Sequence, residues 1–142
     1  MRYAYPFDLE PQPKGGFTVT FPDVPEAITE GETVEEAHAR AEDALVTGLS
    51  FYTDDAKALP MPSAARGRPV AWVPPLVAAK LALHDAMVVA GLSNVELGRR
   101  LGLDEKAVRR LRDPLHRSHI GQIEAALRLL GKRLEIRVLE AS

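Results

Sequence analysis

Ser93-Asn-Val-Glu-Leu-Gly-Arg-Arg-Leu-Gly-Leu-Asp-Glu-Lys-Ala-Val-Arg-Arg-Leu-Arg-Asp113 reads as two short helices meeting at a tight turn. Ser93 and Glu96 have capping-box spacing, in which a hydroxyl and a carboxylate satisfy free backbone amides at a helix start. Leu97 and Leu101 share one face of the first helix, and Gly98 between them leaves room for another helix to approach. Gly102 supplies the turn, since it takes a positive φ without steric cost. Leu103 anchors the far side, Asp104 is a good N-cap, and Val108 and Leu111 give the second helix its buried side. Glu105, Lys106, Arg109, Arg110 and Arg112 are left outside. Cap, small residue, turn glycine, apolar anchors and basic outer face are all in register, which predicts a DNA-binding helix-turn-helix. An ordinary helical hairpin with a solvated charged face is the plainer alternative.

On the DNA-binding reading, Glu105, Lys106, Arg109 and Arg110 face the major groove, where arginine pairs with guanine through two bonds. Asn94 and Arg99, on the preceding helix, touch phosphate and position the protein without reading sequence.

The formal net charge of −2 conceals a split. Residues 1–62 hold 4 Lys or Arg against 12 Asp or Glu, a balance of −8, and residues 63–142 hold 14 against 8, a balance of +6. Such asymmetry suggests one surface for a polyanion and another for something basic. Acidic excess that merely aids solubility is the alternative for the first part. Cysteine is absent, so disulfide frameworks and thiolate metal sites are excluded. No apolar run approaches membrane-spanning length and nothing resembles a signal peptide, so a cytoplasmic protein without membrane contact is expected.

Outward from the organising stretch, the pattern predicts strands at Tyr3–Phe7, Phe17–Phe21 and Glu26–Thr29, with a turn from Pro11 to Gly16. Thr33 and Glu36 repeat the capping-box spacing, and Val34, Ala37, Ala41, Leu45, Leu49 and Tyr52 predict a helix from about Val34 to Tyr52. Asp54–Pro69 reads as loop, and Pro69–Pro74 as a fourth strand closing the sheet. Pro74-Pro75 marks a domain boundary, dividing residues 1–73 from residues 75–142. A helix follows from Pro75 to Ala90, its apolar face carried by Leu76, Ala79, Leu83 and Met87 and widened by Val77, Leu81 and Val88. Ser118 is a plausible cap for a last helix carrying Ile120, Ile123, Leu127 and Leu130. Leu134–Val138 alternates apolar and charged residues, so a terminal strand is expected there. The fold class is α+β.

Catalytic signatures are weak. No nucleophile elbow, phosphate-binding loop or dinucleotide fingerprint is present. His38 and His84 lie in amphipathic helices, where surface or satisfied core histidines are the common outcome. His116 and His119 have the spacing of a metal pair, but the nearby Pro114 and Ser118 put them mainly in a loop without completing carboxylates. Asp8, Asp23, Glu26, Glu30 and Glu32 could hold Mg²⁺ for phosphoryl chemistry, though an acidic surface explains them more simply. No cofactor is implied, and the expectation is not an enzyme.

Taken together, Gly16-Phe-Thr-Val-Thr-Phe-Pro-Asp-Val-Pro25, Glu30-Gly-Glu-Thr-Val-Glu-Glu-Ala37, Ala41-Glu-Asp-Ala-Leu45, Glu96-Leu-Gly-Arg-Arg-Leu-Gly-Leu103 and Ala125-Ala-Leu-Arg-Leu-Leu-Gly-Lys-Arg-Leu-Glu-Ile136 resemble the HicB family of bacterial type II antitoxins, in its helix-turn-helix branch. The resemblance implies an N-terminal β-β-β-α-β domain like a truncated, inactive ribonuclease H. It also implies a small basic HicA-like toxin that cleaves mRNA and is blocked by that domain, and an operator of the shared operon bound by the C-terminal domain. Asp23, Glu26, Glu30 and Glu32 are the candidate toxin-binding residues. Two-fold operators call for a homodimer or higher homo-oligomer. A free-standing dimeric repressor, its N-terminal domain a ligand-binding or oligomerisation module, is the other reading. A Mg²⁺-dependent nuclease is a third.

Overall fold

The computed structural model describes residues 2–141, so Met1 and Ser142, the outer limits of the two expected domains, lie outside the described residues. The chain is α+β: strands β1 (Ala4–Pro6), β2 (Asp8–Pro11), β3 (Phe17–Thr20) and β4 (Ile28–Gly31) precede helix α1 (Val34–Asp54) and strand β5 (Val70–Trp72). Helices α2 (Pro75–Ala90), α3 (Asn94–Leu101), α4 (Glu105–Arg112) and α5 (Ile120–Leu129) complete it.

The first predicted strand is extended by a second. Past Phe7 the chain continues as β2, which pairs antiparallel with β3 from Asp8↔Thr20 to Pro11↔Phe17. The hairpin turn therefore begins at Gln12, whose N–H donates to the Gly16 carbonyl at 2.9 Å. Pro11 ends β2, a position where a missing N–H is tolerated. β4 pairs with β3 two residues later than expected, because Val24–Ala27 is spent on a turn closed by the Ala27 N–H on the Val24 carbonyl. β5 pairs antiparallel with β1, from Ala4↔Trp72 to Pro6↔Val70. Val70 and Trp72 do share a face, but it is the outer one; the buried residue of β5 is Ala71.

α1 starts where the sequence predicted, with the Thr33 hydroxyl accepting from the Glu36 N–H at 3.1 Å. Its buried stripe of Ala37, Ala41, Leu45 and Leu49 lies over Tyr5, Phe7, Val19 and Phe21. Gly31 is obligatory at the end of β4, since a Cβ there would run into the Ala37 backbone. The loop after α1 is tied down: Leu59 joins the core and the Tyr5 hydroxyl donates to the Pro60 carbonyl at 2.8 Å.

α2 belongs to both halves of the molecule. Leu81, with Val77, Ala78 and Ala82, packs on the first core, whereas Ala79, Leu83 and Met87 help build a second with Leu97, Val108, Leu111, Ile123 and Leu127. That explains why α2 is apolar almost all round. Pro74-Pro75 thus sits between β5 and a helix shared by two cores, with no free linker in between.

Leu134–Val138, expected as a terminal strand, forms no strand ladder with the described residues. From Lys132 onward the described residues are neither helix nor strand, and only Leu134 packs against the second core. Ile136 is 65% and Val138 96% exposed. A strand needs a partner for its backbone, and the described residues provide none here.

Candidate functional site

α3 and α4 are joined by Gly102-Leu103-Asp104, with Gly102 at φ 71°. Ser93 caps α3 through the Glu96 N–H at 3.1 Å, and Asp104 caps α4 through the Ala107 N–H at 2.7 Å. The capping box at Ser93 is one-sided, because the Glu96 carboxylate is taken by Arg99 at 2.6 Å and Arg100 at 3.5 Å. Leu97, Val108 and Leu111 are buried as expected. Gly98 has a different reason from the one expected. The space its missing Cβ leaves is filled by the Leu103 carbonyl of the turn, and the Leu103 N–H donates to the Gly98 carbonyl at 2.8 Å.

The expected DNA-contacting residues divide by geometry. Lys106, Arg109 and Arg110 are exposed along α4. Arg109 is clamped to Glu105, its Nη2 at 2.8 Å from both carboxylate oxygens, which holds the Glu105 carboxyl below its ordinary pKa with help from Asn94. Arg99 is exposed and ion-paired to Glu96. Asn94 is only half exposed and faces inward: its Nδ2 donates to Glu105 Oε1 at 3.2 Å, and its Oδ1 accepts from Arg112 Nη1 at 2.7 Å. Beside Arg110, the loop residues His116 and Arg117 extend the basic surface around a cavity that Gln122 also lines.

Three polar side chains are buried at the base of this unit: Arg112, expected on the outer face, Lys80, which carries no motif, and His84, for which a satisfied core position was one of the expected outcomes. Arg112 is buried, against expectation, and donates from Nη2 to His84 Nδ1 at 2.8 Å. His84 is a satisfied core histidine whose Nε2 lies 2.6 Å from the Lys57 carbonyl. Lys80, fully buried, donates to the Arg110 carbonyl and to the Ser118 hydroxyl, each at 2.7 Å. Ser118 is therefore engaged by Lys80, and His119 takes the N-cap position of α5 without a side-chain hydrogen bond. Burial pushes the Lys80 pKa down to about 8, with Asp113 pulling the other way. One signal pointed here: in a helix apolar all round, any polar residue has to be buried and paired.

The four acidic candidates of the N-terminal unit are also of two kinds. Asp23 accepts from the Ser63 N–H and hydroxyl, both at 2.9 Å, and Glu26 accepts from the Tyr52 hydroxyl at 2.7 Å. These bonds brace the loops around the sheet. Glu30 and Glu32 are exposed, and their carboxylates meet no donor among the described residues. They stand at the end of β4, an edge of the sheet β2-β3-β4, beside Glu35 and Glu36 in the first turn of α1. Asp8, the other acidic candidate for chemistry, is paired with Arg68 at 3.0 Å.

The family model for HicB-like antitoxins of bacterial toxin–antitoxin systems matches residues 4–82. The chain is 42% identical over 136 residues to "Antitoxin HicB 2" of Photorhabdus laumondii, covering 96% of this chain and 95% of that one. It is 39% identical over 133 residues to "Antitoxin HicB" of Escherichia coli K12, covering 93% and 96%. The chain belongs to the HicB-like antitoxin family. A third HicB antitoxin, from Pseudomonas fluorescens, is 37% identical over 138 residues, covering 96% and 94%. The family match ends at Ala82, so it takes in the α2 residues that close the first core, while the three HicB antitoxins extend over both cores. HicB membership places the chain on the regulatory side of a toxin–antitoxin system. No single helix among the described residues is long and apolar enough to cross a membrane.

Proposed function

We propose that this chain binds and neutralises a HicA-like mRNA-cleaving toxin through its acidic N-terminal unit, and represses its own operon by laying α4 in the major groove of operator DNA. The observation that carries the reading is the match between charge and architecture. The acidic stretch supplies most of the first core and its surface, and the basic stretch supplies the second, so two fields of opposite sign sit over two cores joined by α2. Residues 1–73 contain the acidic surface. α2 closes the core beneath it, so the fragment that carries toxin binding is best cut after Ala90.

Arg110 and Arg109 are the base readers in this scheme and Lys106 their neighbour, with Arg99 on phosphate. Asn94 and Glu105 support that face from behind. The unpaired Leu134–Val138 segment supplies a second copy with a strand partner, and antiparallel pairing of the two segments gives the two-fold dimer that a palindromic operator requires. No step of this mechanism needs a catalytic group.

Co-expression with the small basic protein of the adjacent reading frame, followed by pull-down, tests the toxin half. Co-purification with loss of ribonuclease activity is the expected result. A free partner that still cleaves mRNA would refute the antitoxin role. Binding of the purified chain to its own promoter fragment, in excess over an unrelated duplex, tests the repressor half.

A further inference from the structure

Behind the exposed face of α4, a chain of hydrogen bonds runs from the turn after α1 to Arg109, and donor and acceptor chemistry allows it only one polarity. Arg112 is donor-only, so the Asn94 atom at 2.7 Å from its Nη1 is the amide oxygen. The Asn94 nitrogen then faces Glu105, an acceptor-only carboxylate that also receives Arg109. In the other direction, Arg112 Nη2 needs a lone pair at His84 Nδ1. The proton of the neutral imidazole is thereby placed on Nε2, where it is donated to the Lys57 carbonyl.

We infer that His84 and Arg112 are positioning residues for DNA reading: they hold Asn94 and Glu105 so that Arg109 is presented in one orientation, and they release it when His84 takes up a proton. The inference rests on the DNA-binding reading of α4 given above. Protonation places N–H on Nδ1, opposite a guanidinium that has no lone pair to offer, so the link to Arg112 breaks. Arg112 has little to fall back on. Its Nε is buried with no partner, and none of the described carboxylates forms an ion pair with it.

Charged and polar groups face His84 from its own helix, from the turn after α1 and from α4. On its own helix stand Lys80, which is committed to the end of α4, and Asp85, which accepts from the Tyr3 hydroxyl of the chain entering β1 at 2.7 Å. From the turn after α1 comes the Lys57 carbonyl, and from α4 the Arg112 guanidinium. Asp54 and Asp113 line, with Arg112, the cavity between the end of α1 and α4. Burial holds the imidazole below its ordinary pKa and Arg112 adds to this, while the Lys57 carbonyl and Asp85 oppose it. The neutral relay is therefore the state at neutral pH, and its loss belongs to the acid side of 6.5.

The test uses the full chain with His84→Gln, His84→Ala and Arg112→Lys. Each is titrated against its promoter duplex and an unrelated duplex at pH 7.5 and at mildly acid pH, with folding checked by circular dichroism. Glutamine can donate to Lys57 and accept from Arg112 without titrating. His84→Gln should match the wild type at pH 7.5 and lose the wild type's acid-induced fall in the specific-to-non-specific ratio. Arg112→Lys and His84→Ala should lower that ratio by about tenfold at pH 7.5 with non-specific binding kept. Coincident pH profiles for wild type and His84→Gln, or an unchanged ratio in folded Arg112→Lys, overturn the relay alone. Failure of the wild type to prefer its promoter at any pH overturns the DNA reading instead, and the positioning role with it.

Discussion

The Lys80 ammonium donates to the Arg110 carbonyl at 2.7 Å, so a fully buried lysine of the shared helix closes the C-terminal end of α4. A cation at this end meets the negative pole of the helix and its free carbonyls. The arrangement explains how a short helix of eight residues stays fixed while its outer face carries Lys106, Arg109 and Arg110.

Lys80 sets a pH signature. Its folded pKa is pushed down to about 8 from 10.5, so between those values the unfolded chain holds more protons than the folded one. Raising the pH from 8 toward 10 should therefore increase stability. Above 10 the trend should reverse, because Tyr3 and Tyr5 are held protonated in the fold, chiefly by burial, and unfolded tyrosines ionise there. Urea melts at half-unit intervals measure this. Lys80→Met should abolish the rise; a rise that persists in a folded Lys80→Met protein assigns it to another group.

Two glycines should respond in opposite ways to alanine. Gly98→Ala gains helix propensity but drives a methyl into the Leu103 carbonyl, and overpacking of this kind costs about 1–3 kcal/mol. Gly121, inside α5, has open space around it, so Gly121→Ala should stabilise by about 0.4–1 kcal/mol. Thermal melts of the two variants decide the matter, and a stabilised Gly98→Ala would contradict the packing described at the turn.

Much of this was legible in the sequence because local chemistry carries it. Thr33, Ser93 and Asp104 cap the helices they were expected to cap, and the buried sides of α1 and α4 follow their periodicity. Strand register was less legible. Leu9 is one half-buried residue between exposed neighbours, too short an alternation to announce β2, and β4 shifted because a turn over Val24–Ala27 carries no glycine to mark it. The base of the candidate site was hidden for another reason. Whether Arg112 points to water or inward depends on where α2 crosses, and nothing within α4 reports that.

On DNA, Arg109 and Arg110 should behave differently. The Arg110 guanidinium meets no acceptor among the described residues, whereas Arg109 must leave or share Glu105 to reach a base. Either alanine variant should lower specific affinity more than non-specific affinity, with a bidentate arginine–guanine contact worth about 1–3 kcal/mol. Glu105→Gln, which loosens the clamp, should raise non-specific binding and its salt dependence. Equal losses on promoter and unrelated duplex would assign both arginines to phosphate.

Assembly should depend on the tail. Removing residues 136–142 leaves Leu134 on the second core and takes away the exposed alternating segment. The truncated chain should remain folded and sediment as a monomer under conditions where the full chain is a dimer. An unchanged mass would place the two-fold contact elsewhere.

The proposed toxin surface yields the sharpest division among acidic residues. Glu30 and Glu32 are exposed and meet no donor among the described residues, beside Glu35 and Glu36, while Asp23 and Glu26 already serve Ser63 and Tyr52. Charge on a rim steers encounter more than it sets residence time. Glu30→Lys with Glu32→Lys should therefore slow association with the basic toxin by about tenfold or more at low salt, and flatten the salt dependence of the on-rate. The dissociation rate should change much less. Asp23→Asn and Glu26→Gln keep size while weakening the bonds that hold the loops, so their effect should appear first in stability. Surface-plasmon kinetics across a salt series, with melting curves of the same variants, separate the two classes. If reversal of Glu30 and Glu32 leaves the on-rate and its salt slope untouched while residues 1–90 still neutralise the toxin, the contact lies on another face of the same unit.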